Sequence, residues 1–308
     1  MLATVAFLLG LLAIDRLLAA GLERVYAGVR SGQLVGLVNH ALDQTDKELL
    51  VFGSSRAVYH IDPEVVGAKL GLSGFNAGSP GQGVLYARGV QALLLERGSR
   101  AKLHLLHVDP KDLWAADPQR IARLAPFFGS SRALDHLLVA QLGPNLRWKL
   151  ALGTYRYNSL VLPLLNGWLR PGPDAGSGFR TLPGRRGSLE PGEPAPAAGP
   201  IRPDVEQVFR DFVRAGREQG AVVAFVASPR WRPHGLDPIE RIGRERLAEI
   251  AAEEGAAWLA FDLDSHPIFR DETLFADPAH LNARGARLFS EQLADALLWA
   301  GLGPSGAP

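Results

Sequence analysis

Three residues in this chain have the types and neighbours that acyl-transfer chemistry requires. Ser55 ends the run Glu48-Leu49-Leu50-Val51-Phe52-Gly53-Ser54-Ser55, in which an apolar stretch stops at a glycine and two serines. A serine hydroxyl is a weak nucleophile until a base takes its proton, and an imidazole titrating near neutrality can do so. His280 stands in Asp277-Pro278-Ala279-His280-Leu281-Asn282, with a carboxylate three residues earlier that can hold one ring nitrogen and aim the other. Taken singly the signals are weak, because a serine after a strand is commonly a helix N-cap and Asp-x-x-His is commonly a loop hydrogen bond. Their conjunction points to nucleophilic attack on an acyl carbonyl.

For side chains from opposite ends of the chain to meet, the elements between them must return both to one edge. The run ending at Phe52 reads as a buried strand. Asp62-Pro63-Glu64 has the cap, proline and acid of a helix start, and this helix runs to about Leu70. Gly74 to Asn76 reads as a short strand, ending in the turn Ala77-Gly78-Ser79-Pro80-Gly81-Gln82-Gly83. Val84 to Glu96 has helical spacing, and Leu103 to Val108 reads as a strand closed by Asp109-Pro110-Lys111-Asp112. Residues 118 to about 168 read as largely helical, with an aromatic and basic segment from Arg147-Trp148 to Tyr155-Arg156-Tyr157 that is either an ordinary insertion or a lid or docking face. Pro171 to Pro203 is rich in proline and glycine and is expected to be a flexible surface excursion.

Regular pattern resumes with a helix over Val205 to Glu218, a strand over Ala221 to Ala227, a helix over Pro238 to Glu253 and a strand over Ala257 to Phe261. Asp277 to Asn282 is expected to be a loop and Ala283 to Ala300 the closing helix. About five strands alternating with helices make a mostly parallel sheet with right-handed crossovers, with ligands beyond the carboxyl ends of the strands.

The composition bounds the function. The 308 residues carry 33 basic and 32 acidic side chains and no long basic run, so no electrostatic footprint for nucleic acid exists. The absence of cysteine removes thiolate nucleophiles, disulfides and cysteine-based zinc sites. Asp262, Asp264 and His266 form too short a cluster to read as anything but capping, and Gly-x-Gly-x-x-Gly after the first strand is absent, so neither metal nor cofactor is expected. An α/β-hydrolase would want Gly-x-Ser-x-Gly, where this chain has Gly53-Ser54-Ser55-Arg56-Ala57.

Leu2 to about Leu22 is apolar except for Asp15 and Arg16, so residues 1–24 read as a transmembrane anchor or a signal segment. The lack of a basic stretch before it and of a cleavage site favours the anchor. Arg16, Arg24 and Arg30 all follow the apolar run, which by the positive-inside rule would leave the bulk of the chain in the cytoplasm.

Three blocks resemble those of the SGNH (GDSL-like) hydrolase superfamily. Gly53-Ser54-Ser55 matches the first, Asn76-Ala77-Gly78-Ser79-Pro80-Gly81 the second, and Asp277-Pro278-Ala279-His280-Leu281-Asn282 the last. The resemblance implies a flavodoxin-like three-layer α/β sandwich over 35–300, with 118–203 as an insertion. It implies Ser55 as nucleophile, Asp277 and His280 as its partners, and backbone N–H groups of Ser55 and Gly81 in the oxyanion hole. Asn76, Arg56 and Asn282 are then expected near substrate. The third block departs from the pattern: Asp109 stands where the family has an asparagine donor, and an ionised carboxylate cannot donate.

Together with the N-terminal anchor, these blocks look most like the membrane-tethered branch that serves polysaccharide O-acetylation and D-alanine transfer. That likeness implies a domain outside the cytoplasmic membrane, an acylated polysaccharide or other polymer as substrate, and a membrane-bound O-acyltransferase as companion. The alternative is a non-catalytic glycan-binding or docking partner of that enzyme.

Overall fold

A computed structural model describes residues 1–30, 35–169, 176–185, 189–190 and 199–303. The chain begins with α1 (Leu2–Gly28) and α2 (Leu37–Leu42), then enters the sheet through β1 (Leu49–Phe52). Helices α3 (Ser55–His60) and α4 (Pro63–Leu70) lead to β2 (Gly74–Asn76), and α5 (Val84–Glu96) crosses back to β3 (Leu103–His107). The short helix α6 (Asp112–Ala115) follows β3, and the insertion contributes a 3₁₀ stretch (Pro118–Phe127), α7 (Arg132–Leu142), α8 (Leu146–Ala151), a 3₁₀ turn (Thr154–Tyr157) and α9 (Val161–Leu169). The second half runs α10 (Pro203–Glu218), β4 (Val222–Ala227), α11 (Pro238–Glu254) and β5 (Ala257–Ala260). Two 3₁₀ turns precede a hairpin of β6 (Phe275–Asp277) and β7 (His280–Leu281), and α12 (Ala283–Trp299) closes the fold.

The five strands β1 to β5 pair in parallel in the order β2-β1-β3-β4-β5. The strand order reverses between β1 and β3, and in open α/β sheets the crevice beyond that switch point is where ligands bind. Ser55 leaves β1 and Asp109 leaves β3, so both stand at its rim.

Alternation along the strands divides the core in two. Leu50, Phe52, Leu106 and Phe225 face α5, α10 and α11, whereas Leu49, Val51, Leu105 and Val226 face α4 and α12. Burying a large apolar side chain contributes about 2 kcal/mol, so fully covered Phe52, Phe212 and Phe225 on one side and Phe275 and Phe289 on the other anchor the two half-cores. The helix ends follow local chemistry. Asp62 accepts from the Glu64 N–H ahead of Pro63 in α4, which stops at Gly71 with φ +69°, while Asp237 accepts from the Glu240 N–H to start α11.

Two expectations change. The stretch carrying Asp277 and His280 is an antiparallel hairpin rather than a loop, because Phe275 and Asp277 find partners in Leu281 and His280. Within the proline-rich stretch, residues 176–182 are fastened down rather than free. Asn76 N–H donates to Ser177 O, Arg180 N–H to Val58 O and Ala283 N–H to Leu182 O. Gly178 (φ +79°) lies so close to Asn76 O that no Cβ fits. Of the rest of that expected excursion, 171–175, 186–188 and 191–198 lie outside the described residues.

α1 is long and apolar enough to cross a membrane: its most apolar 18-residue window has mean hydropathy 2.0 and is not buried against the rest of the protein.

Candidate active site

Backbone geometry delivers the nucleophile. Gly53 turns at φ +138°, and a Cβ there would stand 2.7 Å from His107 O, so only glycine lets the chain pass β3 this closely. Two residues later Ser55 opens α3 with its side chain half-buried. Its Oγ lies 2.8 Å from His280 Nε2. On the far side of the ring, Nδ1 is 3.0 Å from each Asp277 carboxylate oxygen. Asp277 Oδ1 also accepts the N–H groups of Ala279 (2.8 Å) and His280 (3.0 Å), which fixes the carboxylate within the hairpin. A proton held on Nδ1 by Asp277 leaves the Nε2 lone pair facing the Ser55 hydroxyl, as a general base requires. The His280 and Asp277 side chains are 22% and 32% exposed, so a substrate can reach the pair.

Beneath this set lies a second polar array that sequence reading missed. His60 Nε2 accepts the Leu281 N–H at 3.0 Å, one residue past the base. That forces the His60 proton onto Nδ1, which donates to Ser228 Oγ at 2.7 Å, and the Ser228 hydroxyl donates to His107 Nε2 at 2.7 Å. Burial, and then the neighbouring imidazoles and guanidinium groups, hold His60 well below the usual histidine range; burial and Arg56 do the same for His107. Both rings therefore stay neutral and add no charge against an imidazolium at His280, whose ring centroid is 6.0 Å from that of His60. The available signal was two histidines flanked by apolar runs.

The N–H groups expected as oxyanion donors are unpaired. Among the described residues, the N–H groups of Ser55 and Gly81 have no hydrogen-bond partner in the protein. Gly81 sits exposed at φ +74°. Asn76 shapes the turn before it: buried completely, it accepts from Gly78 N–H at 3.0 Å and donates to Ala57 O and Ile61 O at 2.7 and 2.8 Å. With its amide spent on backbone, buried Asn76 ties the turn to α3. Asn282 likewise caps α12, accepting from Arg284 and Gly285 N–H while donating to Thr273 O.

Arg56, also expected near substrate, is buried and paired with Asp109 at 2.7 Å. Burial works against the Asp109 charge, but Arg56 and Arg230 outweigh it and bring the carboxyl down to about 2. Asp109 is thus an ionised acceptor and no oxyanion donor. Asp262, the first residue of the discounted cluster, accepts from the N–H groups of Asp264 and Ser265 at 3.0 and 2.7 Å, which is local capping.

Asp112, behind the same turn, has the opposite character. It accepts the Val84 N–H at 3.0 Å, and a Cβ on Gly83 would stand 2.7 Å from its carboxylate. Burial, and then the Asp109 charge, push the Asp112 carboxyl from 3.8 up to about 7. Between those values the folded state holds a proton that the unfolded state has lost, so this group's contribution to stability falls as pH rises from about 4 to about 7. Buried His60, His104 and His107 contribute with the opposite sign over an overlapping range. The test is therefore a difference: Asp112→Asn gains on the parent as pH rises through that window, by at most about 4 kcal/mol at about 1.4 kcal/mol per pH unit. Urea unfolding at several pH values reads it, and a constant difference contradicts the assignment.

Comparison with protein-family models and with curated proteins finds no match. Fold and geometry define an α/β protein of doubly wound order, with a serine, histidine and aspartate aligned by hydrogen bonds at the sheet's switch point. An apolar N-terminal helix of membrane-crossing length precedes it.

Proposed function

We propose that the protein is an SGNH-type serine acyltransferase or esterase that handles acyl groups, acetyl in the first instance, on a cell-surface or exported polysaccharide. The observation that carries this reading is the alignment of Ser55 Oγ, His280 and Asp277 over 2.8 and 3.0 Å contacts. Ser55 Oγ attacks the acyl carbonyl carbon while its proton passes to His280 Nε2. The N–H groups of Ser55 and Gly81 receive the oxyanion, each such donor lowering a barrier of this kind by about 3 kcal/mol. Collapse expels the first alcohol, which takes the proton from His280, and leaves an ester on Ser55. Water or a sugar hydroxyl then gives its proton to His280 and attacks that ester, and Ser55 Oγ leaves by taking the proton back from His280.

The domain works outside the cytoplasmic membrane, held by α1, beside a membrane-bound O-acyltransferase. The tethered family branch supports this side of the membrane, against the arginines that follow the apolar run.

Incubation with an activated acetyl ester, followed by peptide mass spectrometry, is expected to find one acetyl group on the peptide holding Ser55 and none in Ser55→Ala. An unmodified Ser55 under turnover conditions overturns the reading. The ion pair of Asp109 with Arg56, which fills the third donor position with an acceptor, favours a second reading: a non-catalytic docking partner. Polymer acetylation that persists in cells carrying Ser55→Ala would select it.

A further inference from the structure

The domain grips α1 partway along its length. The Asp15 carboxylate accepts from Gly153 N–H (2.8 Å), Thr154 N–H (3.0 Å) and Thr154 Oγ1 (2.6 Å). A Cβ on Gly153 would stand 2.5 Å from the Ala19 methyl, so the two backbones meet side by side. From there one stripe of α1, Asp15, Ala19, Leu22 and Tyr26, turns toward the domain, and the Tyr26 ring packs edge-on against Phe127 and Tyr157.

Leu2 to Ile14 project free of the rest of the protein, about 20 Å of helix at about 1.5 Å per residue. The exposed apolar surface of α1 continues past the grip, with Leu17 and Leu18 74% and 59% exposed. Asp15 to Gly21 cannot sink without what lies beside it.

What lies beside it is suited to lipid. Among the described residues, twelve large apolar side chains are exposed beyond Met1 and α1, and seven of them fall between Trp148 and Leu169. Trp148 is 80% and Leu152 50% exposed, just before the Gly153-Thr154 grip. Arg147 and Lys149 flank that tryptophan, and both are exposed. Helix α9, which packs Gly167 against Val29 of the segment following α1, shows Leu162, Trp168 and Leu169 at 78%, 62% and 67% exposure. No charged residue occurs from Tyr157 to Leu169. Tryptophan beside arginine and lysine is the composition of a membrane interface, where rings sit at headgroup depth and cationic heads reach outward.

We infer that helices α8 and α9 form a second membrane contact, laying the domain against the bilayer surface with Trp148 and Trp168 at headgroup depth. The inference rests on insertion of α1 and is independent of the acyl chemistry.

The full-length protein in nanodiscs of brominated phosphatidylcholine tests it. With two of the six tryptophans in contact with lipid, roughly a third of the fluorescence is expected to be lost relative to unbrominated discs. Trp148→Phe and Trp168→Phe should each remove part of that quenching, and the double variant nearly all of it. Equal quenching in parent and double variant, or none in either, overturns the inference. So does a Trp148 that lipid leaves bright but a co-purifying membrane protein shields from acrylamide, which assigns the face to a protein. Co-flotation with lipid reports insertion of α1 separately: protein that floats without tryptophan quenching refutes only the second contact, whereas protein that fails to float refutes the anchor as well.

Discussion

Ser55→Ala and His280→Ala are each expected to lower kcat/KM for a small acetyl ester by on the order of 10³-fold or more, about 4 kcal/mol or more of transition-state stabilisation. The first removes the atom that bonds to the acyl group and the second the acceptor of its proton, which lies 2.8 Å away. Because the two act as one unit, the double variant should be scarcely worse than either single one. Asp277→Asn should cost a comparable amount for a different reason. An asparagine amide turned toward Nδ1 favours the tautomer with its proton on Nε2, pointing at a hydroxyl that then has no base. Unfolding midpoints should barely move for Ser55→Ala, whose side chain makes one hydrogen bond in a half-buried position. Activity surviving in both the serine and histidine variants would remove the acyl-transfer reading and leave the docking one.

Glu240→Ala should cost about 3 to 5 kcal/mol of folding stability, the usual consequence of removing one partner from a buried ionic cluster. Glu240 is fully buried and bridges Arg230 at 3.1 Å and Arg244 at 3.2 Å. The guanidinium Nε atoms of both arginines already lack hydrogen-bond partners, and the carboxylate left to Arg244 is Asp262, at the longer distance of 3.6 Å. Glu240→Gln, which keeps an acceptor in the same volume, should cost less. Urea denaturation at neutral pH measures both, and a loss under about 1 kcal/mol for the alanine variant would show that the arginines find solvent. The damage should reach the site as well. Arg230 immediately precedes Trp231, whose N–H donates to Pro278 O inside the hairpin that carries Asp277 and His280.

The sheet was readable from the chain because its strands are short apolar runs closed by turn residues, and its helices carry their own start and stop signals. Asp62-Pro63 opened α4 and Val84 to Glu96 became α5 without change of bounds. The three residues proposed for chemistry were readable for a related reason: each lies next to a strand end, where local pattern and chemical type coincide. The roles of their neighbours were not. Asn76 and Arg56 are polar residues beside the nucleophile, and only the fold shows that backbone carbonyls take the amide and Asp109 takes the guanidinium. His60, Ser228 and His107 come together from three separate elements, and no spacing in the sequence encodes that meeting. Asp15 is a charge within a largely apolar helix. Its satisfaction by Gly153 and Thr154 could not be foreseen, because those donors lie in an insertion with no strong pattern of its own.

The hairpin that presents both the acid and the imidazole also sets how the site can fail. Asp277 and His280 are three positions apart and fixed to each other by main-chain hydrogen bonds, whereas the hydroxyl arrives from the opposite end of the polypeptide. Mild loosening therefore has its seam where the Leu281 N–H meets His60 of the serine's own helix: once that bond gives, the imidazole and its carboxylate drift as a unit away from an otherwise intact serine. Inactivation in low urea should then precede global unfolding and reverse fully on dilution, with the imidazole still properly oriented throughout.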